Sequence, residues 1–287
     1  MLKQLIKLIR PKQWIKNVFV LAPLIFSRTF MQPDAILKAI LAMLCFITAS
    51  SAVYVLNDII DIEKDKLHVV KRLRPLASGA IGKGSAVVFM VILLAISLIS
   101  AFLINSSVLF CIVFYILMNI FYSTILKNLV IVDIMVISLG FVLRVICGAV
   151  AIPVYISSWI LLCTFFIALC VGAGKRKSEK AVLNDDSTLH RRVLSSYDDE
   201  FLTGLIRISI TGSAITYSLY TILEYETQLP MITILFVFLG LFRYMQLILS
   251  EEEGRLPEEI VLSDVPLMAS IVLFGISWIA IFLIYRL

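Results

Sequence analysis

The chain has 287 residues, of which 61% are hydrophobic and 16% charged, and its mean hydropathy is +1.01. A soluble domain whose surface faces water cannot be that apolar, so the bilayer is the expected solvent and the chain reads as an integral membrane protein. The net charge of +5 is modest; its distribution says more, and no nucleic-acid partner is expected.

Residues 1–16 are basic and followed by an apolar run. A secretory leader would show a small-residue cleavage site after that run and no recurring hydrophobic segments. Neither holds, so 1–16 reads as an amphipathic lead-in segment. Within it "RPKQWIKN" sets Lys12 and Lys16 around Trp14, a pattern that suits an interfacial anchor and a phosphate ligand equally.

A hydrocarbon core about 30 Å thick takes about 20 apolar residues of helix. On that measure nine spans are predicted: 17–31, which Pro23 interrupts, then 35–57, 84–104, 108–126, 130–152, 156–174, 201–222, 230–250 and 264–286. With the N-terminal segment and every connection after an even-numbered span on one side, 19 of the 25 Lys and Arg residues fall there, 3 (Arg28, Lys38 and Arg286) fall at the span ends on the other side, and Arg144, Arg207 and Arg243 lie deeper within spans. That asymmetry puts the N-terminus and the long loops in the cytoplasm. The expected architecture is an all-α multi-pass bundle in the cell's inner membrane, one domain over 1–287, with active-site loops at 58–83 and 175–200.

The second span runs into "NDIIDIEKD". Continued as a helix at about 100° per residue, it brings Asn57, Asp58, Asp61 and Asp65 onto one face and turns Ile59, Ile60 and Ile62 away. Three carboxylates so close repel one another, and at a membrane boundary water screens them less than in bulk. A hard cation relieves this, since Mg²⁺ takes one or two carboxylates together with phosphate oxygens and water. The stretch reads as a diphosphate site awaiting its metal; a solvated helix end that stops the span sliding into lipid is the alternative. Lys71, Arg72 and Arg74 follow in "KRLRPLASG". Guanidinium forks and ammonium groups suit phosphate oxygens, although a positive-inside loop carries the same charges without a ligand.

Further along, Asp133 and Arg144 lie inside the fifth span, where ionisable groups are costly. Eleven residues put them on one face but about 16 Å apart along the axis, so they do not pair directly; each is either functional or paired to a neighbouring helix. Tyr122 and Lys127 close the fourth span in "YSTILKN", and Lys175, Arg176 and Glu179 follow the sixth in "VGAGKRKSE". The five cysteines, Cys45, Cys111, Cys147, Cys163 and Cys170, are scattered through apolar runs without metal-site spacing and read as packing residues. His68 and His190 stand in loops without a nucleophile or carboxylate arrangement, so no catalytic histidine is expected.

These residues form a pattern. The sequence resembles the UbiA superfamily of intramembrane prenyltransferases, whose first motif has the form NxxxDxxxD, here Asn57, Asp61 and Asp65. Within that superfamily it looks most like the decaprenyl-phosphate phosphoribosyltransferases, through "RPKQWIKN", "NDIIDIEKD" with "KRLRPLASG", "YSTILKN", "GFVLRVICGAVA", "AGKR" and "RLPEEIVLSD". Aromatic prenyltransferases of the superfamily usually carry a second aspartate-rich motif after the sixth span. Here that place reads "GKRKSEK", which points to direct capture of phosphate.

The resemblance implies transfer of 5-phosphoribose from phosphoribosyl pyrophosphate to a polyprenyl phosphate. It implies Asn57, Asp58, Asp61 and Asp65 as Mg²⁺ ligands, with Asp58 and Asp61 the catalytic pair. Lys71 and Arg74 would grip phosphate oxygens, and Lys16, Tyr122, Lys127, Arg144, Lys175 and Arg176 would line the pocket. Asp58 either touches metal or orients a ribose hydroxyl. The alternative is transfer of a polyprenyl chain from its diphosphate to an aromatic or other acceptor. A transporter lined by Asp133 and Arg144 is the reading from a different class. The sequence leaves a homo-oligomer open.

Overall fold

The computed structural model describes residues 2–67, 71–183, 194, 196–250 and 257–285. Among these residues the regular elements are helices, and seven are long and apolar enough to cross a membrane. The chain groups into two compact units, Met1–Lys127 with Leu143–Tyr155, and Asn128–Val142 with Ile156–Leu287. The single domain expected over 1–287 therefore has two compact parts.

In the first unit, α1 (Leu2–Leu8) leads through 3-10 turns over Pro11–Leu21 into α2 (Ala22–Phe26). A membrane span was expected over 17–31; the structure has 3-10 turns and the short α2 there rather than one regular α-helix. Pro23 starts a new, short helix, where its missing N–H is of no consequence, and the chain turns at Arg28 with φ of 64°. The first single helix long and apolar enough to cross a membrane, among the described residues, is α3 (Pro33–Ile60). Its buried side carries Ala35, Ala39, Ala42, Phe46, Ala49 and Val53, spaced three and four apart.

Small residues let helices approach closely in lipid, where packing and interhelical hydrogen bonds replace the hydrophobic drive. Accordingly α5 (Lys83–Ile104), which follows the short α4 (Ile62–Leu67), buries Ala86, Ser97 and Ala101. The Ser97 hydroxyl donates to the Cys45 carbonyl of α3 at 2.8 Å. Its other side leaves Val88, Val91, Ile92, Ile99 and Phe102 exposed, as a lipid-facing surface requires. Asn105 caps α6 (Ser106–Thr124): its Oδ1 accepts from the Val108 amide at 2.8 Å. Its Nδ2 donates to the Val150 carbonyl near the end of α7 (Val132–Ala151) at 3.0 Å. Gly148 of α7 lies so close to the 3-10 stretch that a Cβ there would stand 1.9 Å from the Val20 carbonyl oxygen.

In the second unit α8 (Ser158–Leu183) packs on α9 (Asp199–Leu223), with Gly212 under the Phe166 ring. Arg207 and a run of serines and threonines keep α9 below the apolarity of the other long helices. The helix α10 (Ile232–Leu249) meets α12 (Val265–Tyr285) through Gly240 and Ser270, and the short α11 (Pro257–Ser263) lies between them in the chain. Asp264 caps α12, accepting from the Leu267 amide at 2.9 Å, and takes the Arg243 guanidinium of α10 at 2.8 Å. All five cysteines are free and buried.

Candidate active site

The site forms where α3 ends. The sequence predicted one continuous helix through Asp65, but α3 stops at Ile60 and Asp61 leaves helical geometry, with φ −95° and ψ 11°, before α4 begins. That break divides the four oxygen-bearing side chains. Asp58 and Asp65 are buried, 2% and 5% exposed, and both accept from Arg74 Nη1, at 3.2 Å and 2.6 Å. Asp61 instead takes the ammonium of Lys127 on both carboxylate oxygens, at 3.0 and 3.1 Å. Asn57 Oδ1 accepts from the Ser123 hydroxyl of α6.

Two further groups complete the cluster. Arg10 donates through Nη2 to Asp58 Oδ1 and lies 5.1 Å from the centre of the Tyr54 ring. Its backbone is left-handed, φ 50° and ψ 66°, which costs a non-glycine residue about 1–2 kcal/mol. The following Pro11 disfavours the right-handed helical region for residue 10. Trp14 holds the turn, its indole N–H donating to the Ile9 carbonyl and the Ser51 hydroxyl, both at 3.2 Å. Lys127 sits in the 3-10 turn Leu126–Asn128 after α6 and is only 9% exposed.

Among the described residues no three His, Cys, Asp or Glu side chains are grouped closely enough to hold a metal, so the four-membered ligand set is not assembled in this arrangement. The donors nonetheless fit a hard divalent ion in a smaller set. A cationic guanidinium already stands between the Asp58 and Asp65 oxygens, and two carboxylates with phosphate oxygens and water are what Mg²⁺ takes.

The other expected residues divide. Arg144 is 5% exposed; it donates to Asn17 Oδ1 at 2.9 Å and the Tyr115 hydroxyl at 3.1 Å, and lies over the Tyr115 and Phe46 rings at 4.9 and 5.2 Å. Lys16 and Tyr122 are half-buried and Lys71 is exposed. Arg176 and Lys175 belong to the second unit, and they are helical, because α8 continues through "AGKRKSEKAVL", rich in the good helix formers Ala, Lys, Arg, Glu and Leu, rather than opening a loop at 175.

Arg176 is wholly buried and meets Asp133 at 2.6 Å and Glu179 at 2.5 Å. The Tyr197 hydroxyl donates to Asp133 at 2.5 Å while accepting from the Ile131 amide at 2.7 Å. Burial and the Asp133 hydrogen bond push the Tyr197 hydroxyl well above its ordinary pKa. Lys175 is about one-third exposed, 3.9 Å from Glu179. Of the two readings of Asp133, pairing to a neighbouring helix is the one observed. His68 and His190 lie outside the described residues, as does Arg255 of "RLPEEIVLSD".

Sequence reasoning missed Arg10, Asn17, Ser123 and Tyr197. Arg10 and Asn17 bracket "RPKQWIKN", and an arginine directly before a proline was the available signal. Ser123 and Tyr197 carried none.

The fold and site together define a helical membrane protein with buried carboxylates and matched cations where a long apolar helix ends. The profile of the UbiA prenyltransferase family matches residues 19–259, and the chain belongs to that family of transferases. It is 32% identical over 281 residues to decaprenyl-phosphate phosphoribosyltransferase of Mycobacterium tuberculosis, covering 96% of this chain and 91% of that one. It is 32% identical to the enzyme of the same name from Corynebacterium glutamicum, over 91% and 81% of the two chains. A UbiA homologue from Archaeoglobus fulgidus bound to GPP and Mg²⁺ has the same fold, with TM-score 0.75, 20% identity, and coverage of 96% and 98%.

Proposed function

We propose that this protein transfers a 5-phosphoribosyl group from phosphoribosyl pyrophosphate to a polyprenyl phosphate, releasing pyrophosphate, at the cytoplasmic face of the inner membrane. The observation that carries the reading is the likeness to relatives named for that reaction, which runs nearly the full length of the chain. The "GKRKSEK" stretch supports it over prenyl transfer, since acids that would hold a second metal are replaced there by bases.

In this reaction an oxygen of the lipid phosphate bonds to ribose C1 as the bond from C1 to pyrophosphate breaks. The attacking phosphate is already an anion at neutral pH, so no general base is needed and positioning and charge stabilisation carry the rate. Mg²⁺ supplies positive charge that offsets the negative charge gathering on the departing pyrophosphate. Asp58 and Asp65 would hold it, and Asp61 and Asn57, now bonded to Lys127 and Ser123, would be the further ligands. Lys127, Arg74 and Lys71 then face phosphate oxygens. Buried Arg144, bonded to Asn17 and Tyr115, fixes the turn that carries Lys16.

Asp61→Asn tests this. Purified variant supplied with radiolabelled phosphoribosyl pyrophosphate, Mg²⁺ and polyprenyl phosphate should label lipid at least about a hundredfold more slowly than wild type, the scale of losing one preorganised electrostatic group. Undiminished labelling would remove Asp61 from the mechanism. Wild-type protein that consumes polyprenyl diphosphate and leaves phosphoribosyl pyrophosphate untouched would overturn the reading.

A further inference from the structure

Arg10 is 48 residues from Asp58 in sequence, yet it contacts the same carboxylate oxygen that Arg74 reaches at 3.2 Å. The Asp58 side chain is 3% exposed, whereas those of Arg10 and Arg74 are 28% and 30% exposed. The acid is thus sequestered while both bases reach solvent. A carboxylate this deeply buried needs a counter-charge whenever it is ionised. Two guanidiniums provide it here, and a divalent ion seeking Asp58 must displace them. A guanidinium matches phosphate oxygens as well as carboxylate oxygens, so once displaced it has a second partner wherever a diphosphate accompanies the metal. Arg10 is the more readily exchanged of the two: Arg74 also holds Asp65 at 2.6 Å, while the ion pair described for Arg10 is to Asp58. The left-handed backbone at Arg10, retained by Trp14 and Pro11, keeps its side chain over Tyr54 and aimed at the acid.

We infer that Arg10 is an exchange residue, holding Asp58 against free metal and passing to a phosphate oxygen when a metal–diphosphate complex binds. It is a positioning and ligand-binding residue. Metal and diphosphate then enter as a complex, because free metal displaces Arg10 and offers it no new partner, whereas the complex brings phosphate oxygens to receive it. The inference rests on the proposed diphosphate site but not on which molecule bears the diphosphate.

Two binding measurements on full-length protein in detergent test it without turnover. Mn²⁺ affinity is read by electron paramagnetic resonance with no substrate present, and pyrophosphate affinity by calorimetry in saturating Mg²⁺. Arg10→Gln should bind Mn²⁺ about fivefold more tightly or better, and magnesium pyrophosphate about fivefold more weakly or worse, the scale of a typical coupling between two ligands. Arg10→Lys, which keeps the charge and loses the fork, should move both constants the same ways by smaller factors, and it decides the matter if the glutamine variant does not fold. A purely structural role would weaken both bindings, so a change of both in one direction, or of neither, overturns the inference. Opposite shifts in a protein that transfers prenyl rather than phosphoribosyl groups would keep the inference and discard only the donor.

Discussion

Arg176 shows how far residue type alone carries. "AGKR" is a basic run on a family motif, and from sequence its arginine reads as a phosphate ligand. The structure gives its side chain no exposure and binds it to Asp133, 43 residues away, and to Glu179. Spacing in the chain cannot display a partner at that separation, although the cost of Asp133 inside a span was itself legible and called for one. Arg176→Ala leaves a buried carboxylate without its counter-ion, which costs about 3–5 kcal/mol. The thermal midpoint in detergent should fall accordingly, and adding Asp133→Asn should recover much of the loss. An alanine variant that melts normally and only loses phosphate affinity would restore Arg176 to the ligands.

At the scale of elements, apolar length placed most spans within a few residues: 84–104 was expected for Lys83–Ile104, and 130–152 for Val132–Ala151. What failed was the behaviour of helix ends. Asp61 interrupts a helix that the angular argument carried on, and α8 runs past the membrane-length segment because nothing in its sequence stops it. Hydropathy measures where lipid ends, whereas backbone geometry decides where a helix does. Close approach between elements was equally hidden, since Gly148 looks like any glycine in a span. Gly148→Ala forces a Cβ against the Val20 carbonyl and should destabilise by about 1–3 kcal/mol. Gly204→Ala on α9, where a Cβ meets nothing within 4 Å, should hold or raise the melting point, as alanine is the better helix former. Equal effects at the two positions would refute the close-packing account.

For the molecule as a whole, the uneven spread of basic residues assigns a topology that the fold itself does not encode. Single-cysteine labelling checks it cleanly because the five native thiols are buried. Tyr155 is 77% exposed in the short connection after α7, and Lys64 is exposed on α4. An impermeant maleimide should label Tyr155→Cys in intact cells and Lys64→Cys only after permeabilisation; the reverse pattern would invert the bundle. That the chain is helical, membrane-embedded and charged where α3 ends was readable from residues. Its division into two compact units was not, because α7 looks like one span and yet serves both.

The pair of hydrogen bonds from Trp14 to Ile9 and Ser51 has a practical side. The indole is fastened to the residue just before Arg10, so release of that side chain is expected to shift the emission of the neighbouring fluorophore. Trp159 and Trp278, the other tryptophans, belong to the second unit. The unlabelled protein therefore carries its own optical gauge of whether its carboxylates are held by arginine or have been handed over.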